Sequence, residues 1–228
     1  MTEKLYYQDA YIREFTGTVL DAVFEEDRIL ICLDRTAFYP EGGGQGADHG
    51  TLELAGGRIL KVSDVQETDG IIWHTVRKEH DAPEGELPSG TEVTGRIDWD
   101  RRFDHMQQHS GEHIVSGMIC ARFHCDNVGF HLGEDVVTID FNHRITMAEA
   151  EEIEEQANRY IWEDHPFEVL WPAPEELKTL EYRSKKELEG DVRIARFPGA
   201  DTCACCGTHV ASSARVGLVK FLSAKNFH

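Results

Sequence analysis

Asp98-Trp99-Asp100-Arg101-Arg102-Phe103-Asp104-His105-Met106-Gln107-Gln108-His109-Ser110-Gly111-Glu112-His113 is where the chain changes texture. Before it, apolar and β-branched residues cluster in short runs. From Arg101 onward they recur at helical spacing, at Phe103, Met106, Ile114, Val115, Met118, Ile119 and Phe123. Asp98 or Asp100 is suited to cap that helix. His109 and His113 then lie on one face, a turn apart. Gly111 and Gly117 each cost a helix about 1 kcal/mol against alanine, so the helix needs packing partners. Glycine beside the two histidines also leaves room for a ligand.

Working back from this stretch, residues 1–96 read as a β domain. The strand candidates are Thr16–Leu20, Arg28–Leu33, Gly50–Leu54, Arg58–Val62, Gly70–Val76 and Thr91–Ile97, separated by turn signals. Their hairpin-like spacing predicts a small barrel or sandwich. Pro83–Gly90 is a polar loop before the last of them. One further loop, Arg35-Thr36-Ala37-Phe38-Tyr39-Pro40-Glu41-Gly42-Gly43-Gly44-Gln45-Gly46, holds consecutive glycines that permit positive φ and close approach to a ligand. It lacks the Gly-Lys-Ser/Thr ending of a phosphate loop. Its aromatic and proline lead-in favours a defined shape over a linker.

Working forward, residues 97–228 read as α+β. Val136–Phe141 is a strand, and Thr146 with Glu149 is a capping box opening a helix whose apolar stripe is Ala150, Ile153, Ala157, Tyr160 and Ile161. Phe167–Trp171, Arg193–Phe197 and Val216–Leu222 are further strands, the first stopped by Pro172 and Pro174. The whole chain is therefore expected to be α+β: a small β-barrel-like domain, then an α+β domain.

With 228 residues, 40% hydrophobic, the chain can bury a core without disulfide staples. It has no apolar run of membrane-spanning length. The N-terminal stretch lacks a secretory h-region, so a cytoplasmic setting is expected. The net charge of −19 argues against a general nucleic-acid binder. The charge is uneven: Met147–Asp164 is acidic, while basic residues from Lys178 onward, including Lys185 and Lys186, outnumber Glu181, Glu187, Glu189, Asp191 and Asp201. A brief contact with a polyanion is compatible with that distribution. Cys32 and Cys120 sit among apolar neighbours as expected core thiols.

Cys203, Cys205, Cys206 and His209 are crowded near the end of the sequence. Together with His109 and His113 they form a ligand set suited to Zn²⁺. Spacing leaves two closures open. Cys203 and Cys206 would complete a Cys₂His₂ site, and Cys205 with His209 would complete a His₃Cys site. Because position 110 is serine, the histidine pair is not the H-E-x-x-H of metalloproteases.

Three motifs taken together resemble a known family: Thr36-x-Phe38-Tyr39-Pro40-Glu41-Gly42-Gly43-Gly44-Gln45, Asp98–His113, and Cys205-Cys206-Gly207-Thr208-His209. They look like the editing domain of alanyl-tRNA synthetase, and more closely like the free-standing AlaX-type editing proteins in their medium-length form. The resemblance spans roughly residues 36–209. It implies a zinc-dependent hydrolase that deacylates tRNA(Ala) mischarged with serine or glycine. It places the zinc ligands on His109, His113, Cys205 and His209. It implies a substrate pocket shaped by Thr36, Gly42, Gly43, Gly44, Gln45 and Ser110, with Thr36 discriminating serine. Ser110 stands where many members carry threonine, and Cys206 where glycine is common. A complete set of protein ligands leaves zinc as an organiser of the pocket, with an ordered water as nucleophile. Arg101 and Arg102 are then expected to contact tRNA. The alternatives are a zinc hydrolase of another small ester or amide, and a non-catalytic structural zinc module.

Overall fold

Alternation of apolar and polar residues becomes a closed barrel in the N-terminal part of the computed structural model, which describes residues 2–78, 87–133, 135–184 and 190–225. Residues 83–86 of the expected Pro83–Gly90 loop, and Lys185, Lys186, Glu187 and Glu189, lie outside the described residues. The chain forms two compact units, Met1–Asp104 and His105–His228.

In the first unit β1 (Glu3–Lys4) is followed by β2 (Glu14–Phe24), β3 (Arg28–Leu33), β4 (Arg35–Thr36), β5 (Gly50–Leu54), β6 (Ile59–Thr68), β7 (Ile71–Arg77) and β8 (Glu92–Ile97). β1 pairs in parallel with β4, and the barrel closes in the order β2-β3-β7-β6-β5-β8. β2 and β6 are longer than the sequence runs suggest. Each carries a register shift, at Val19/Asp21 and Val62/Asp64, and such bulges bend a strand so that the sheet can close. Inward-facing Val19, Ile29, Ile31, Leu33, Leu52, Leu60, Val65, Ile72 and Val93 fill the barrel, with Phe15 and Phe38 in edge-to-face contact beside them.

The helix α1 (Trp99–Phe123) crosses the boundary between the units. Asp98 is the capping aspartate, accepting from the Arg101 N–H at 3.3 Å, while Asp100 lies inside the helix. The second unit continues with β9 (Asn127–Leu132), β10 (Val137–Phe141), α2 (Met147–Trp162), β11 (Glu168–Leu170), α3 (Pro174–Leu177), β12 (Ile194–Phe197) and β13 (Asp201–Ala204). β9 and β10 form an antiparallel hairpin, and β11-β12-β13 an antiparallel sheet. The Thr146–Glu149 capping box opens α2 and its expected apolar stripe is buried. The expected strand at Val216–Leu222 is not formed. Ser213–Val216 is a 3₁₀ turn, and Gly217 breaks direction with φ of 86°. Side chains of α2 satisfy the backbone that follows: Asn158 exchanges bonds of 2.8 and 2.9 Å with Val219, and Glu154 accepts from the Phe221 N–H at 2.6 Å. Cys32 is buried as expected, whereas Cys120 is only half-buried.

Arg102 corrects the sequence expectation most sharply. It has 0% exposure, and its guanidinium is spent on Asp48 and two backbone carbonyls rather than on a phosphate. Its Nε donates to both Asp48 oxygens at 2.9 Å, Nη1 to Ala10 O at 2.8 Å and Nη2 to Ala37 O at 2.5 Å. Asp48, also fully buried, accepts from the Tyr39 N–H at 2.6 Å, and its own N–H donates to Tyr39 O at 3.0 Å. One guanidinium thus ties both stems of the glycine loop to the N-terminal segment. Removing one member of a buried pair leaves the other charge uncompensated. Arg102→Ala is expected to lower the unfolding free energy by about 3–5 kcal/mol, read from urea unfolding. A loss below about 1 kcal/mol would contradict the buried pairing.

Candidate metal centre

α1 supplies the first half of the site. His109 and His113 stand one turn apart with ring centroids 5.1 Å from each other, on a helix buried on all sides from residue 109 to 117. The β12–β13 hairpin supplies the second half. Its turn carries Gly199 at φ 83°, and Phe197 pairs with Asp201 and Ile194 with Ala204. Beyond the ladder, buried Arg193 donates from Nη1 to Cys205 O at 2.7 Å and to Gly207 O at 3.1 Å. That clamp curls residues 205–209 back over α1.

His109, His113, Cys205 and His209 are thereby brought together, with their candidate donor atoms all within 4.8 Å of one another. Cys205 Sγ lies 3.5 Å from His109 Nε2 and 3.5 Å from His209 Nε2. The Gly207 N–H points at the same sulfur from 3.3 Å, which favours thiolate. The imidazoles are buried, and Cys205 is half-buried. Phe130 stacks on His109 at 5.1 Å, and Phe167 lies 4.8 Å from His209, so aromatic walls surround the rings.

The other ring nitrogens are already engaged. His113 Nδ1 meets Asp201 Oδ2 at 2.8 Å, and His209 Nδ1 meets Ser110 Oγ at 3.2 Å. With Nδ1 protonated and donating, each Nε2 keeps its lone pair for a metal, the arrangement that fixes metal-bound histidines. Asp201 is in turn gripped by Arg183, Nε to Oδ1 at 2.8 Å and Nη2 to Oδ2 at 2.9 Å. Burial alone would raise the Asp201 carboxyl, but His113 and Arg183 hold it below its ordinary value. Burial would likewise raise the Cys205 thiol, and the imidazoles of His109 and His113 more than offset it, leaving it well below the usual thiol range. Burial pushes the Cys203 thiol the other way, up to about 11. One sulfur and three imidazole nitrogens, with bonded outer partners, fit Zn²⁺ by donor chemistry.

The remaining expected residues are placed as follows. Cys203 is buried beside Asp201 and His113, outside the four-residue cluster, and Cys206 is exposed. Ser110 is buried, its hydroxyl committed to His209 and to the Val210 N–H at 3.1 Å. Gly111 gives its space to packing: a Cβ there would touch Val216 and Val219 at 3.4 Å. Gly117 is the more demanding glycine, since a Cβ would lie 2.2 Å from Ala200 O. In the other unit, the Gly42 and Gln45 backbones bond reciprocally at 3.0 and 3.1 Å across Gly43 and Gly44, with φ of 62° and 87°. That is a two-residue hairpin turn needing positive φ at both central positions. Tyr39 donates its hydroxyl to Gly42 O at 3.2 Å, so the loop has a fixed shape. Thr36 and Gln45 are fully buried, and Arg101 is half-buried with Nε on Ala47 O at 3.0 Å. Sequence reasoning missed Asp201, Arg183 and Arg193. Only Gly117, a costly residue inside a helix, signalled that another chain segment passes close.

Residues 2–101 match the family described as tRNA synthetases class II (A). Residues 192–226 match the threonyl and alanyl tRNA synthetase second additional domain. The chain is 34% identical over 225 residues to the alanyl-tRNA editing protein AlaX-L of Pyrococcus horikoshii, covering 97% of this chain and 54% of that protein. It is 38% identical to an alanine–tRNA ligase of Pyrococcus abyssi and 36% identical to that of Thermococcus kodakarensis, in each case over 97% of this chain and 24% of the ligase. It thus spans about half of the editing protein and a quarter of the ligases.

The Asp201–His113 contact makes a quantitative demand. Asp201→Asn is expected to weaken zinc binding by about 10–100-fold, measured by competition with a chromogenic chelator. Affinity unchanged from the parent protein would mean that Asp201 does not orient a metal ligand.

Proposed function

We propose that this chain, which belongs to the family shared by the alanyl-tRNA editing proteins and the alanine–tRNA ligases, is a zinc-dependent hydrolase that removes serine or glycine from mischarged tRNA(Ala) in the cytoplasm. The observation that carries the reading is the cluster of His109, His113, Cys205 and His209, built on a chain that is similar over 97% of its length to an editing protein. Among the described residues no helix is long and apolar enough to cross a membrane.

Hydrolysis adds water to the ester carbonyl carbon and breaks its bond to the ribose oxygen. The freed ribose hydroxyl takes up a proton, and the amino acid leaves. His109, His113, Cys205 and His209 would hold Zn²⁺, which supplies Lewis-acid fixation of a polar group. Four protein donors would complete the set around the metal, which leaves an ordered water as the nucleophile. Phe130 and Phe167 keep the imidazoles from bulk solvent. The fixed turn at Gly42, Gly43, Gly44 and Gln45 shapes the amino-acid pocket, and Ser110 contributes by holding His209 rather than by meeting substrate. Thr36 is the group that senses the serine hydroxyl. A site that hydrogen-bonds a hydroxyl rejects a substrate lacking it more strongly than one that senses a methyl group. Arg101 is the remaining candidate for a phosphate contact near the start of α1.

Ser-tRNA(Ala) and Ala-tRNA(Ala) incubated with zinc-loaded protein at low ionic strength test this directly. Rapid loss of the serine ester with the alanine ester spared is expected, and Thr36→Val is expected to reduce that selectivity while keeping zinc content. Zinc-loaded protein that leaves the serine ester intact would overturn the proposal.

A further inference from the structure

The hydrogen bonds that end on Thr36 have a direction set by a single carbonyl. His74 Nδ1 lies 2.9 Å from Ile31 O, and a carbonyl only accepts, so Nδ1 carries the proton. The ring has 0% exposure, and burial pulls its pKa down to about 4, so it is neutral near pH 7 and Nε2 is a bare acceptor. Thr36 Oγ1 stands 2.8 Å from that Nε2 and must donate its only proton there. The Phe38 N–H donates to the same oxygen at 3.1 Å, which leaves Oγ1 one free lone pair. The Phe38 ring packs edge-on against His74 at 5.4 Å and keeps the imidazole in place. Thr36 has 0% exposure, so His74, and not solvent, sets the hydroxyl's orientation.

We propose that His74 is a positioning residue for amino-acid selection, pinning the Thr36 proton so that Thr36 offers a substrate an acceptor and no donor. A serine side chain, which can donate, is rewarded. The hydrogen of glycine and the methyl of alanine gain nothing. This inference rests on the reading of Thr36 as the residue that senses serine.

Two measurements test it. ¹⁵N NMR of the intact protein, labelled in histidine, is expected to show His74 as the neutral tautomer protonated on Nδ1. A proton on Nε2 overturns the proposal whatever the activity. In deacylation assays His74→Phe is expected to lower the serine-to-glycine ratio of kcat/KM about tenfold. His74→Gln, whose Oε1 can accept the Thr36 proton, is expected to recover most of that ratio. In a Thr36→Val background His74→Phe is expected to leave the ratio unchanged. Equal losses on both esters, in protein with normal circular dichroism and zinc content, would reduce His74 to a structural role. Parent protein that cleaves neither ester would overturn the reading of Thr36, and with it the selective role of His74, while NMR would still decide the direction of the hydrogen bonds.

Discussion

The buried Asp201 carboxylate is the joint on which the unit carrying the histidine–cysteine cluster depends. Taking a carboxylate out of water costs several kcal/mol unless partners replace the lost hydration. Here Arg183 supplies a two-point grip and His113 the remaining bond. The contact joins α1 to the start of β13. It also demands that the hairpin approach α1 so closely that only glycine is tolerated at position 117. With the hairpin seated there, the residues after β13 pass over the histidine pair and bring Cys205 and His209 to it.

The barrel unit uses the same physics for a different purpose. Arg102 and Asp48 are both withdrawn from water, and their bonds run to backbone as well as to each other. A buried pair of this kind contributes little net stability over apolar packing, yet it makes alternative conformations costly. The segment so restrained is the glycine loop, whose stems at Ala37 and Asp48 are held while its tip turns through positive φ. Rigid support beneath an irregular loop is what a recognition element requires.

The barrel was largely legible because period-two alternation is a local signal. Its strand lengths were not, since a bulge adds a residue without leaving a mark in the pattern. The histidine pair was legible for a related reason: helical spacing alone puts both rings on one face. Spacing could not choose between Cys203 and Cys205. The choice follows from register, because Cys203 pairs with Ala195 inside the ladder and shares a strand face with Asp201, whereas Cys205 lies past the strand end. Asp201 is 88 residues from His113 in sequence, and no local pattern announces such a contact. Arg102 misled because arginine is usually exposed, and its burial depends on Asp48, a partner 54 residues away. The misread strand at Val216–Leu222 had strand-like composition, but side chains of α2 satisfy its backbone instead of a neighbouring strand.

We propose that one metal ion is held by the imidazoles of His109, His113 and His209 and by the Cys205 thiolate. Zinc-edge X-ray absorption on the zinc-loaded protein tests that claim most directly. It predicts a first shell of one sulfur and three nitrogens that loses its sulfur in Cys205→Ala and keeps it in Cys203→Ala. Two sulfurs in the parent shell, or a sulfur that survives Cys205→Ala, would contradict it.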